Sequence, residues 1–332
     1  MTGPQLMHAL MIDESDAPLR RVSVERPAPG PGQVLVRVHA SAVNPLDVKI
    51  RSGRAPHARQ PLPAILGLEA AGTVTQTGPG VAALSRGDEV YGLAGGVGGL
   101  QGTLAEFVAV DADLLAKKPA RLDMRQAAAI PLGFITAWEG LVDHAGVQAS
   151  HKVLVHGVGG VGLMAIQIAR AFGAEVFALS SAAKLAAIER LGATGIDRDH
   201  ARVEDYVSDH TSGRGFDIVY DTVGGPVLDA SFAAVKRSGH VVSCLGWGTH
   251  SLAPLSFKAA TYSGVFTLLP LLTGEGRAHH GAILREATRL VESGDVMPRL
   301  DPRPFGLDNA DAAYHALEHG DASGKVVVDV SA

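Results

Sequence analysis

Apolar positions along the chain change their period near residue 125. Before that point short apolar runs alternate with polar ones. In residues 33–39, Val34, Val36 and Val38 fall on one face and Leu35, Arg37 and His39 on the other, as in a half-buried strand. The preceding ERPAPGPGQ is a turn-rich entry. SAVNPLDVKIRSG, residues 41–53, begins irregularly at Asn44-Pro45 and has room for one short helical turn, and residues 70–75, 89–91 and 103–110 read as further short strands. This pattern predicts a mainly antiparallel, partly barrel-like β domain. GLAGGVGGLQG, residues 92–102, imitates a phosphate loop, but strands flank it on both sides. It reads as a flexible connection beside a cleft.

From residue 124 to 141 the pattern is helical in two pieces broken at Pro131. Strands then alternate with helices: VLVH, a helix over 161–173, EVFAL, a helix over 182–191, FDIVYDTV, a helix near 227–236, and GHVVSCLG. Alternating β and α units predict an α/β fold, a doubly wound parallel sheet. An apolar stretch over 262–272 follows, readable as core or as an edge strand. After it come a helix with Ile283, Ala287, Leu290 and Val291 on one face, a helix over 309–319, and a closing strand, GKVVVDV, able to return to the first domain.

The first α/β unit carries the chemistry. KVLVHGVGGVGLMAIQIARAFGA, residues 152–174, is a strand, a tight turn and a helix, with Gly157, Gly159 and Gly162 at GxGxxG spacing. The first glycine turns the chain, the second lets backbone approach a pyrophosphate, and the third lets helix and strand pack closely. Gly160 and Val161 would offer amide groups at the helix N-terminus. Gly224 and Gly246 follow later strands, where strand ends meet a dinucleotide. The second strand ends EVFALSSAAK, without the acidic residue that would bond a ribose 2′-hydroxyl. Ser180, Ser181 and Lys184 stand there instead, with Arg198 after the next strand, and hydroxyl donors with positive charge suit a 2′-phosphate. NADPH is therefore favoured over NADH, although Lys184 and Arg198 also read as a solvated helix face and loop.

Length and charge narrow the classes. A chain of 332 residues, 46% hydrophobic, is long enough for two domains. A formal charge of −5 without a basic run argues against nucleic acid or an anionic membrane as partner. Cys244 is the single cysteine, so no intrachain disulfide or multi-cysteine zinc site forms, and a reducing, cytoplasmic setting fits. The acidic first residues do not read as a signal peptide, and no apolar stretch reaches spanning length. His315 and His319, at i, i+4 spacing, read as a solvated helix face.

SAVNPLDVKIRSG, PAILGLEAAGTV, GDEVYG, AAAIPLGFITAWEGL, VLVHGVGGVGLMAIQIA, GFDIVYDTVGG and GKVVV together resemble the medium-chain dehydrogenase/reductase superfamily. Within it they resemble the zinc-independent quinone oxidoreductase branch, which includes zeta-crystallin-like proteins. The resemblance implies a GroES-like substrate domain over 1–126 completed by 267–332, a Rossmann domain over 127–266, a cofactor in the cleft, and a homodimer joined at the parallel-sheet edge. Aligned with the zinc alcohol dehydrogenases, the ligand positions hold Asn44, Leu68 and Leu132, and the proton-relay positions hold Leu46 and Lys49. The resemblance thus implies no catalytic zinc. Without a metal to activate an alcohol, the favoured reaction is hydride transfer from NADPH to a quinone or α,β-unsaturated carbonyl, whose conjugation spreads the incoming charge. It also places Asn44 and Thr136 beside the nicotinamide; Asn44 reads equally as an Asx turn before Pro45. Lys49 is a candidate donor to the substrate oxygen, while Asp47 and Asp221 fit structural roles. The alternatives are a metal-free alcohol or aldehyde dehydrogenase and, in another class, an NADPH-binding regulatory or RNA-binding protein.

Overall fold

In the computed structural model, which describes residues 5–331, the chain falls into two units. One holds the chain up to Leu132 together with Leu268–Ser293 and the residues from Met297 onward, and the other holds Gly133–Thr267 with Gly294–Val296.

The first unit is built on antiparallel pairing. Its larger sheet runs Phe305–Gly306, Val326–Asp329, Gln33–Val43, Glu69–Thr77, Glu89–Leu93 and Leu115–Lys117, with Phe107–Asp111 also paired to Gln33–Val43. Val34, Val36 and Val38 are buried as the alternation predicts, and Arg37 on the other face is exposed. The closing strand does return to this unit: Val326–Asp329 pairs antiparallel with Gln33–Val43, with Val326 opposite Val43. A second sheet joins Arg20–Glu25, Leu6–Ile12 and Ala64–Ile65. Arg20–Glu25 and Leu6–Ile12 are not among the strands expected from the sequence.

Two segments differ from expectation. Residues 45–51 form two helical turns rather than one, because Pro45 starts the helix and Asp47 reaches back to its N-cap. The glycine-rich run over 92–102 is packed rather than flexible. Ala94 and Gly95 donate to the Leu68 carbonyl, Gly98 to Ala58 and Gly102 to Ile65, and Val97 is fully buried. These amides are committed within the unit, so the run is not a phosphate cradle.

The second unit is a six-stranded parallel sheet in the order Thr194–Asp197, Glu175–Ser180, Lys152–His156, Phe216–Asp221, Val235–Ser243, Thr261–Gly264. Counted from Lys152–His156 this is 3-2-1-4-5-6, the doubly wound dinucleotide-fold order. The order reverses between the ends of Lys152–His156 and Phe216–Asp221, where His156 pairs with Asp221. The helix expected near 227–236 stops at Ala234, because Val235 already pairs with Phe216 as a strand. Leu154, Phe177, Phe216, Val219, Phe232 and Val241 pack into one apolar cluster against the sheet.

Candidate active site

The switch point of the parallel sheet carries the glycine turn. Gly157 adopts φ +84°, and a Cβ there would lie 2.7 Å from the Thr222 hydroxyl. At Gly162 a Cβ would lie 1.9 Å from the Gly157 carbonyl oxygen, so the helix Gly160–Ala171 sits directly on the turn. A Cβ at Gly159 or Gly160 would meet nothing within 4 Å, which leaves open space in front of the helix N-terminus. The first intrahelical bond back to this turn comes from Leu163, which donates to the Gly159 carbonyl. The amides of Gly160, Val161 and Gly162 are therefore the helix-end donors that suit an anion. A pyrophosphate fits this cradle.

The residues expected at a 2′-phosphate lie at the same end of neighbouring strands. Ser180 ends its strand, is buried, and accepts the Arg198 backbone N–H through its own carbonyl at 3.0 Å. Ser181 is the N-cap of the helix Ala182–Arg190 without a side-chain capping bond. Lys184 reaches across to the glycine turn, donating to the Val158 carbonyl at 3.1 Å. Arg198 is exposed, in a loose pair with Asp199 at 3.4 Å.

Asp221 ends the fourth strand fully buried, and its carboxylate accepts from Val223 N, Gly224 N and the Ser243 hydroxyl at 3.0, 3.0 and 2.7 Å. It shapes the turn that carries Gly224. Gly246 follows the next strand, where a Cβ would lie 2.0 Å from the Tyr262 hydroxyl oxygen. The His156 ring is buried against the same strands, its Nδ1 2.7 Å from the Ser231 hydroxyl, and burial lowers its pKa to about 4. The Thr136 hydroxyl, on the helix Pro131–Trp138, lies 3.0 Å from the Thr267 hydroxyl, and Thr267 donates to the Glu139 carboxylate at 2.6 Å. The Thr136 carbonyl accepts from Tyr220 Oη at 2.7 Å. Directly after this helix, Glu139–His144 is wound as a π-helix, a local irregularity common at functional sites.

A second polar centre lies in the first unit. Strand register places Val326 opposite Val43, which carries Lys325 beside Asn44, and Ala42 opposite Glu69. The Asn44 amide nitrogen donates to Glu69 at 2.9 Å and to Asp47 at 3.2 Å, and its oxygen accepts from the Lys325 ammonium. Lys325 also pairs with Glu69 at 2.6 Å, and the other Glu69 oxygen accepts the Leu132 backbone N–H at 2.6 Å. Asn44, Asp47 and Glu69 are all at most 2% exposed. Burial raises the Asp47 pKa to about 7, against the pull of hydrogen bonds from Asn44. Lys49, on the exposed face of the helix Pro45–Arg51, makes no bond into this centre among the described residues. Glu69 and Lys325 escape a reading of the sequence: each lies inside a family-like motif, but only pairing of the two chain ends brings them together.

Comparison with known proteins agrees with this architecture. Residues 30–120 match the alcohol dehydrogenase GroES-like domain, and residues 191–328 match the zinc-binding dehydrogenase domain. The chain is 37% identical over 305 residues to a 2-methylene-furan-3-one reductase from Solanum lycopersicum, covering 89% of this chain and 71% of that protein. It is 35% identical over 304 residues to a chloroplastic NADPH-dependent alkenal/one oxidoreductase from Arabidopsis thaliana, covering 89% and 72%. The crystal structure of an alcohol dehydrogenase superfamily protein from Novosphingobium aromaticivorans superposes with a TM-score of 0.96 at 59% identity, covering 98% of this chain and all of that one. The chain belongs to the medium-chain dehydrogenase/reductase superfamily, in its quinone and enone oxidoreductase branch. It is an oxidoreductase.

The zinc that one of these family descriptions names does not fit the residues present. Leu68 and Leu132 offer no side-chain donor atoms, and the Asn44 oxygen already accepts from an ammonium. Among the described residues no group of three or more His, Cys, Asp or Glu side chains is arranged to hold a metal ion.

Proposed function

We propose that this chain is a zinc-independent, NADPH-dependent reductase of α,β-unsaturated carbonyl compounds or quinones. The observation that carries the reading is the donor set: leucines at two family ligand positions, and an amide committed to Lys325 at the third. Activating an alcohol for hydride loss leans on a metal, whereas a conjugated acceptor delocalises the charge it gains. Two relatives named for enone or alkenal reduction, matched over nearly nine-tenths of the chain, support the same substrate class.

In this reading NADPH supplies the hydride when bound. Gly157, Gly159, Gly160, Val161 and Gly162 form the pyrophosphate cradle, with Gly224 and Gly246 at the neighbouring strand ends. Ser180, Ser181, Lys184 and Arg198 receive the 2′-phosphate. Thr136, oriented by Thr267, positions the nicotinamide, and Asn44 lines the substrate side. Lys49, exposed on its helix, is the candidate donor to the substrate oxygen, and unchanged turnover in Lys49→Met would remove it from that role.

A homodimer accompanies this reading. Thr261–Gly264 is an edge strand of the six-stranded sheet, and Phe257 nearby in sequence is 89% exposed. Light scattering should give twice the monomer mass. Among the described residues no helix is long and apolar enough to cross a membrane. A reducing, cytoplasmic setting fits the single cysteine. No nucleic-acid partner belongs to this reading, given the acidic balance.

The reaction is tested by reducing a linear enone with NADPH deuterated at the transferable position. Deuterium at the β-carbon of a saturated ketone supports the reading; deuterium at the carbonyl carbon of an allylic alcohol contradicts it.

A further inference from the structure

We propose that Lys325 is a positioning residue of the reductase site, its ammonium fixing the Asn44 amide in a single orientation against the carboxylates of Asp47 and Glu69. The inference rests on the proposed function, in which Asn44 lines the substrate side.

An asparagine amide has two faces that differ only in which end donates. Here the surroundings choose. An ammonium is donor-only and a carboxylate is acceptor-only. With the oxygen toward Lys325 and the nitrogen toward Glu69 and Asp47, every polar end of Asn44 is satisfied. Flipped, the amide would set its donors against the Lys325 ammonium and its oxygen against the Glu69 oxygen that pairs with that ammonium, in a site where Asn44 is 2% exposed.

The same ammonium pairs with Glu69 at 2.6 Å, so one cation serves both neighbours of the amide. The buried Glu69 carboxylate, which takes one proton of the amide nitrogen, has this ammonium as its counter-charge. The residue at the family's first ligand position is thus held by a lysine, in a group of side chains that offers no metal set. Lys325 is itself anchored, its backbone N–H donating to the Arg299 carbonyl at 2.8 Å. The groups facing Asp47 are Asn44 on its own helix, Glu69 from the strand Glu69–Thr77, Lys325, and Tyr314 from the helix Ala310–Glu318.

Lys325→Met and Lys325→Arg in the full chain test this with two readouts. The first is independent of turnover: carboxyl 13C titration of Asp47. Losing the ammonium should move its midpoint up, and arginine should restore it. An unchanged midpoint in Lys325→Met overturns the inference whatever the substrate. The second readout is enone reduction. Lys325→Met should lower kcat about tenfold with the NADPH dissociation constant unchanged, and Lys325→Arg should recover most of it. A variant that melts lower but keeps wild-type kcat would make Lys325 a strand staple only and overturn the inference. Wild-type protein that reduces no conjugated carbonyl would instead overturn the functional reading, with the titration still deciding the role of Lys325.

Discussion

Lys184 Nζ lies 3.1 Å from the carbonyl oxygen of Val158, tying the helix after the second parallel strand to the glycine turn after the first. A cation is thereby held at the corner where Ser180 and Ser181 replace an acidic residue. Lys184→Ala should raise the KM for NADPH about tenfold, about 1.4 kcal/mol, and leave that for NADH unchanged. Steady-state kinetics with both cofactors check this, and equal losses for the two would remove Lys184 from the 2′-phosphate site.

The glycines of the turn separate packing from binding. Gly162→Ala puts a methyl 1.9 Å from backbone, and the required shift should destabilise the protein by roughly 2–4 kcal/mol in urea unfolding. Gly159→Ala meets nothing within 4 Å, and its φ of −95° suits alanine. It should fold as the wild type does while binding NADPH at least about tenfold more weakly by fluorescence titration, because the methyl enters the pyrophosphate space. Unimpaired binding would argue against that placement.

Asp47 makes stability depend on pH. Its native pKa of about 7 lies above the ordinary 3.8, so the neutral form is favoured in the folded chain. Its contribution is therefore full below about pH 4 and is lost as pH rises through about 7, a swing of about 4 kcal/mol. Asp47→Asn keeps an oxygen acceptor for the Asn44 backbone and removes the titration. The difference in unfolding free energy between variant and wild type should grow in the variant's favour from pH 4 to pH 8. A constant difference would mean that Asp47 titrates normally.

Metal removal is expected to be silent. Dialysis against 1,10-phenanthroline should leave enone reduction intact, and added zinc should not raise it, since Leu68 and Leu132 provide no ligands. Loss of activity restored by zinc would contradict the metal-free reading.

The parallel sheet was legible because its signals are local: VLVHGVGGVG announces strand, turn and helix within a dozen residues, and alternation of strands and helices implied parallel pairing, though not the strand order. Residues 92–102 misled because glycine content reports conformational freedom, not whether the amides are satisfied; bonds to Leu68, Ala58 and Ile65 pack that run. Asn44 was visible through Asn-Pro, but its partners were not. Lys325 lies 281 residues away, and its place beside Asn44 depends on the register of Val326 against Val43. Long-range pairing of that kind leaves no periodic trace in the chain.

NADPH oxidation measured against linear enones, quinones and aldehydes, and NADP+ reduction measured against alcohols, with NADH and NAD+ run in parallel, test the assignment most directly. The predicted result is turnover of conjugated acceptors, with kcat/KM at least about tenfold higher with NADPH than with NADH and aldehydes and alcohols essentially inert. Preferred turnover of simple alcohols or aldehydes, or of NADH, would contradict it.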